Sequence, residues 1–82
     1  METRVAVIGI IVEAPDSAEK VNSVLHDYSD HIIGRMGIPY RQKGISIISI
    51  AVDAPQDDIS ALSGKLGRIP GVSVKAAYAK GY

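Results

Sequence analysis

Val12-Glu13-Ala14-Pro15-Asp16 returns 40 residues further on as Val52-Asp53-Ala54-Pro55-Gln56, and each copy ends an apolar run. The first run, Val5 to Val12, is apolar at every position but Gly9. The second, Ile45 to Val52, reads Ile-Ser-Ile-Ile-Ser-Ile-Ala-Val. Runs of this length, rich in β-branched residues and bounded by turn residues, read as strands buried on both faces. One half of the chain therefore repeats the other.

Each copy of the phrase opens a helix. In the first, Asp16 and Glu19 have capping-box spacing, and Ala18, Val21, Val24, Leu25 and Tyr28 follow at helical intervals. In the second, Asp57 and Asp58 place negative charge in the first turn, where the helix dipole favours it. The apolar stripe there is Ile59, Leu62, Leu66 and Ile69, and Pro70-Gly71 ends the helix in a turn. A strand follows each helix, His31 to Tyr40 and then Val72 to Tyr78, with Arg41-Gln42-Lys43-Gly44 as a hairpin loop before the third strand.

The order βαββαβ predicts one α+β domain over residues 1–82. It is a ferredoxin-like sandwich with a four-stranded antiparallel sheet and two helices on one face. Right-handed crossovers put the first and third strands in the middle. Those are the two that are apolar on both faces, whereas Arg35, Pro39 and Lys75 fall on edges.

Such a sheet leaves one face without helices, and in a monomer that face should be polar at every second residue. Here it is not. The first strand offers Val5, Val7, Gly9, Ile11 on one side and Ala6, Ile8, Ile10, Val12 on the other. The third offers Ile45, Ile47, Ser49, Ala51 or Ser46, Ile48, Ile50, Val52. Either set leaves an apolar patch larger than soluble monomers usually expose, and the tail Ala79 to Tyr82 is too short to cover it. The expected partner is the chain itself, as a dimer or tetramer.

Composition excludes several other functions. Nine Lys plus Arg balance nine Asp plus Glu, so there is no basic footprint for nucleic acid or anionic lipid. With no Trp, no Phe and four Tyr, the chain also lacks stacking platforms for single strands. It has no cysteine, hence no disulfide or thiolate metal site. The run Val5 to Val12 ends in Glu13-Ala14-Pro15-Asp16 without a cleavage motif and is too short to span a membrane, so a cytoplasmic address is expected.

Candidate chemistry is sparse. His26 and His31 are five apart with only Asp27 and Asp30 nearby, whereas a transition-metal site wants three or four ligands; no metal and no cofactor are expected. No serine stands beside a histidine as a nucleophile would need, and Glu13, Asp16, Glu19, Asp53, Asp57 and Asp58 cluster at helix starts, where capping explains them. No catalytic residue is assigned. Gly34-Arg35-Met36-Gly37 opens no helix and is not a phosphate loop; its glycines mark a bulge or a close backbone approach.

The stretch His26-Asp27-Tyr28-Ser29-Asp30-His31-Ile32-Ile33-Gly34-Arg35-Met36-Gly37-Ile38-Pro39-Tyr40, then Gly44 to Ile50 and Val52-Asp53-Ala54-Pro55, resembles the iron-only hydrogenase system regulator family of ACT-like domains. The resemblance covers nearly the whole chain. It implies an ACT-like ferredoxin fold, a dimer or tetramer, and a regulatory role without an assigned biochemical activity. The C-terminal domain of nickel-responsive repressors is similar in order and spacing. Its His-x-His and Cys ligands are replaced here by Gly37-Ile38-Pro39 and by no cysteine, so the nickel site is not carried over. Amino-acid-binding ACT domains carry Pro-Gly at the first strand–helix turn, where this chain has Pro15-Asp16.

The leading expectation is a non-enzymatic oligomeric sensor. Its ligand site would lie at a subunit boundary, with Glu13, Asp16 and Ser17 facing Gly34, Arg35, Met36 and Gly37 of a neighbour. The alternatives are an adaptor that binds a partner protein without a ligand, and a dimeric ferredoxin-like enzyme. No direct contact with nucleic acid or membrane is expected.

Overall fold

Residues 2–81 are described by a computed structural model. Strand β1 (Arg4–Val12) is followed by a 3-10 turn (Pro15–Ser17) and helix α1 (Ala18–Asp27). A second 3-10 turn (Ser29–His31) leads to β2 (Ile32–Tyr40), then β3 (Ile45–Ala54), α2 (Gln56–Gly67) and β4 (Val72–Tyr78). The sheet order is β2-β3-β1-β4, antiparallel throughout. This is the ferredoxin-like arrangement, and the two strands with apolar residues on both faces are central.

The helices choose one set from each strand. Ala6, Ile8, Ile10 and Val12 of β1 and Ile48, Ile50, Val52 and Ala54 of β3 are buried beneath Val21 and Leu25 of α1 and Ile59, Leu62 and Leu66 of α2. These are the helical stripes that the sequence spacing predicts. Their burial out of water, at about 25 cal/mol per Å² of apolar surface, is the main force holding the layers together.

The start of α1 departs from the capping-box reading. Pro15, with its fixed φ, opens the 3-10 turn, and α1 begins after it at Ala18 with Ser17 as N-cap and no side-chain capping bond. The Ser17 hydroxyl is engaged elsewhere: it donates to the carbonyl of Pro70 at 2.6 Å, and the residue is buried. The Glu13 amide donates to the Gly71 carbonyl at 2.7 Å. The first strand–helix turn is thus bonded to the last helix–strand turn.

Strand β2 contains the one register irregularity in the sheet. Ile32 pairs with Val52, but Gly34 pairs with Ala51, so Ile33 is the extra residue of a bulge. Because side chains alternate with a period of two, one extra residue exchanges the faces of everything after it. Arg35, Gly37 and Pro39 consequently lie opposite Ile50, Ile48 and Ser46 on the helix side. Gly34, Met36, Ile38 and Tyr40 lie opposite Ala51, Ser49, Ile47 and Ile45 on the open side. No helix among the described residues is long and apolar enough to cross a membrane.

Candidate functional site

The open face of the sheet carries three cross-strand rows. They are Ile38–Ile47–Ile11–Ser73, Met36–Ser49–Gly9–Lys75 and Gly34–Ala51–Val7–Ala77. Tyr40 and Ile45 extend the first row's apolar end. Met36 is 53% exposed, Val7 47%, Ile38 46% and Ile11 41%. At the centre, the missing side chain of Gly9 leaves a hollow of about 270 Å³ walled by Ile11, Ile47 and Lys75. Lys75 is the one basic side chain in these three rows.

The helix side has a second feature. Helix α1 and strand β2 do not close on each other, and the cleft between them is bridged at mid-length by a hydrogen bond from Arg35 Nη2 to Asn22 Oδ1. On one side of the bridge is a hollow of about 340 Å³ bounded by Leu25, His26, Ser29 and Ile32. On the other is one of about 250 Å³ bounded by Val12, Ala18, Gly37, Pro39 and Ile48. Ala18, Asn22 and His26 follow one another at intervals of four, one helix face, which is why all three border the cleft. The corresponding groove between α2 and β4 is lined by Ser60, Ser63, Val72 and Val74 and has no charged residue in its lining.

The seven residues expected to form a ligand site fall into three places within one chain. Glu13 and Asp16 are exposed at the β1–α1 turn; Ser17 is buried against Pro70 and does not present its hydroxyl outward. Gly34 and Met36 are on the open face, whereas Arg35 and Gly37 border the α1–β2 cleft. Among the described residues no hydrogen bond joins Glu13, Asp16 or Ser17 to Gly34–Gly37 within one chain. The glycines of β2 meet no close neighbour: a Cβ added at Gly34 or Gly37 would have nothing within 4 Å. Bulging at Ile33 is thus the feature that accompanies Gly34, and no close approach within the chain does.

Nothing in the sequence marks Asn22 as a site residue, and at the sequence level His26 enters only the metal question. His31 lies apart from it, 3.6 Å from the Asp58 carboxylate at the start of α2. Among the described residues no three His, Cys, Asp or Glu side chains are grouped so as to hold a metal ion. Substituting Ser17 by Ala is expected to destabilise the fold by about 1–2 kcal/mol, the cost of a lost hydrogen bond with a poorly hydrated acceptor left behind. Urea denaturation at fixed protein concentration measures it.

Comparison with known proteins gives the lineage. Residues 4–76 match the family model TM1266-like, described as "Iron-only hydrogenase system regulator, putative". In structure the chain is similar to the uncharacterized protein TM1266 from Thermotoga maritima, with 39% identity and a TM-score of 0.92 over 96% of this chain and 100% of that one. The C-terminal domain of the MgtC protein from Mycobacterium tuberculosis has the same fold at 13% identity, with a TM-score of 0.74 over 95% of this chain and 89% of that one. So does part of a formyltetrahydrofolate deformylase from Pseudomonas putida KT2440, at 13% identity and a TM-score of 0.64 over 89% of this chain and 28% of that one. No curated protein matches the chain in sequence. With a family match over almost its whole length and a close structural relative that it covers from end to end, the chain belongs to the TM1266-like family.

Proposed function

We propose that this chain is a non-catalytic regulatory domain of the iron-only hydrogenase system that works as a dimer or tetramer of itself and responds to a small-molecule effector. The observation that carries the reading is the open sheet face. Its rows place Val7, Ile11, Met36, Ile38 and Tyr40 in water, each at least 39% exposed, around a hollow at Gly9. An apolar surface of this kind, continuous across three strands, favours burial against a complementary one. The chain's zero formal net charge adds no long-range repulsion between copies.

Strand β2 supports the regulatory part. Its residues alternate between the open face, through Met36 and Ile38, and the α1–β2 cleft, through Arg35 and Gly37. An edge strand that borders both surfaces is the element through which occupancy of one would bear on the other. Light scattering at micromolar concentration is the test. A mass of two or four chains is expected, and the mass of a single chain would overturn the proposal.

A further inference from the structure

We infer that the cleft between α1 and β2 binds a small amphiphilic carboxylate, with its acid group on Arg35 and its hydrocarbon part in the hollow beside Gly37. This rests on the reading of the chain as an effector-responsive regulator, but not on how its subunits meet, since every lining residue belongs to one chain.

The head site is built from donors. Arg35 is tied to Asn22 by one hydrogen bond to a neutral amide oxygen, which orients the guanidinium without cancelling its charge. Among the described residues no carboxylate lies within ion-pair distance of it; the one such pair is His31 with Asp58. The planar fork of an arginine matches a carboxylate bidentately, and most of its N–H groups remain available. Because the Asn22 oxygen accepts from Arg35, the amide nitrogen of the same side chain is left as a donor. The Ser29 hydroxyl and His26 imidazole border the same hollow. No Asp or Glu lines the hollows on either side of the bridge.

The tail site is apolar. Beyond the bridge the walls are Val12, Ala18, Pro39 and Ile48, with Ser46 the sole polar side chain besides the bridging pair. Gly37 supplies the room, because a side chain there would project into open space where nothing lies within 4 Å. A fully ionic ligand such as phosphate would satisfy the head and leave this hollow unfilled; an uncharged one would fill it and leave Arg35 unmatched.

The bulge at Ile33 makes the site. By the 40-residue repeat, Arg35 corresponds to Lys75, and Ile32 to Val72. Ile32 and Val72 pair with Val52 and Val12, both on the helix side. Three residues later the two strands are out of phase: Lys75 pairs with Gly9 on the open face, and Arg35 pairs with Ile50 on the helix side. A bulge that turns one cation from the sheet face into a cleft is a recurrent way of re-aiming a side chain.

The test is an amide NMR titration of the full chain with hexanoate, hexanamide and inorganic phosphate, each also run on Arg35→Gln and Gly37→Val. Saturable shifts with hexanoate, confined to α1 and β2, are expected, with hexanamide and phosphate binding more weakly. Loss of a charge-assisted contact should raise the hexanoate Kd about tenfold or more in Arg35→Gln. Gly37→Val should weaken hexanoate more than phosphate, because it fills the hollow and leaves the cation alone. Arg35 and Gly37 are exposed, and unchanged melting of the two variants would show that they fold. Absence of saturation, shifts centred elsewhere, an unchanged Kd in Arg35→Gln, or phosphate or hexanamide binding as tightly as hexanoate would each overturn the inference. Light scattering on the same samples keeps the two proposals apart, since a single chain that still binds hexanoate through Arg35 sinks the assembly and leaves the cleft standing.

Discussion

Replacing Ile8 by Asp is expected to leave no folded protein, whereas replacing Ile47 by Asp is expected to give a folded chain that has lost its partners. Both residues lie on central strands and both are isoleucines, yet they face opposite layers. Ile8 is fully buried, paired with Ile50 and Ala76 on the helix side of the sheet. A carboxylate there has no cation to pair with and no path to water. The penalty for an unpaired buried charge is several kcal/mol. Loss of the isoleucine's own burial adds roughly 1.5–3 kcal/mol. Small domains have about 5–15 kcal/mol in total, and those near this size fall toward the low end. Ile47 is on the open face between Ile38 and Ile11, where an aspartate reaches solvent in the separate chain. Two such faces brought together would bury like charges, so the cost appears in association. Circular dichroism and light scattering on the two variants read fold and mass separately. An Ile47→Asp protein of unchanged mass would place the subunit contact on some other surface.

Gly71→Ala is expected to destabilise the chain by about 2–5 kcal/mol, far more than Gly44→Ala. Both glycines have positive φ, 75° at Gly71 and 68° at Gly44. A side chain in that region costs roughly 1–2 kcal/mol at either place. What separates them is space. A Cβ on Gly44, in the β2–β3 hairpin, meets nothing within 4 Å, whereas one on Gly71 would sit 2.7 Å from Ala14 Cβ and 3.0 Å from the Ala14 backbone nitrogen. Backbone cannot step aside as a flexible side chain can. The bonds from Glu13 to Gly71 and from Ser17 to Pro70 hold the two turns face to face, so relief of the clash would break them. Overpacking of this kind adds about 1–3 kcal/mol. Urea midpoints at equal protein concentration provide the measurement, and equal losses for the two variants would show that the turn–turn contact is not tight.

The repeated phrase around Pro15 and Pro55, the apolar runs before it and the helical stripes after it were enough to determine the element order and the central pair of strands. Those are properties of local pattern: strand runs apolar on both faces, and a period near 3.6 in the helices. Local pattern also carried the excess of apolar residues on β1 and β3, and with it the expectation that one sheet face needs a cover.

Which set faces the helices was not in the pattern, because on β1 both sets are almost equally apolar. The β1–α1 turn departs from its local pattern for a related reason. Asp16 and Glu19 have the spacing of a cap, but the Ser17 hydroxyl and the 3-10 turn begun by Pro15 answer to Pro70 and Gly71, more than 50 residues away. Arg35 is the plainest case. Gly34 and Gly37 beside it mark a bulge or a close backbone approach without saying which or where, and a regular strand continuing the phase of Ile32 would set Arg35 opposite Ser49, on the open face. Pairing with β3 inserts Ile33 as a bulge, reverses the phase, and brings the guanidinium to Asn22 on α1. A strand's alternation can be read from one segment. Its register is a relation between two, and only the assembled sheet decides on which face Arg35 ends.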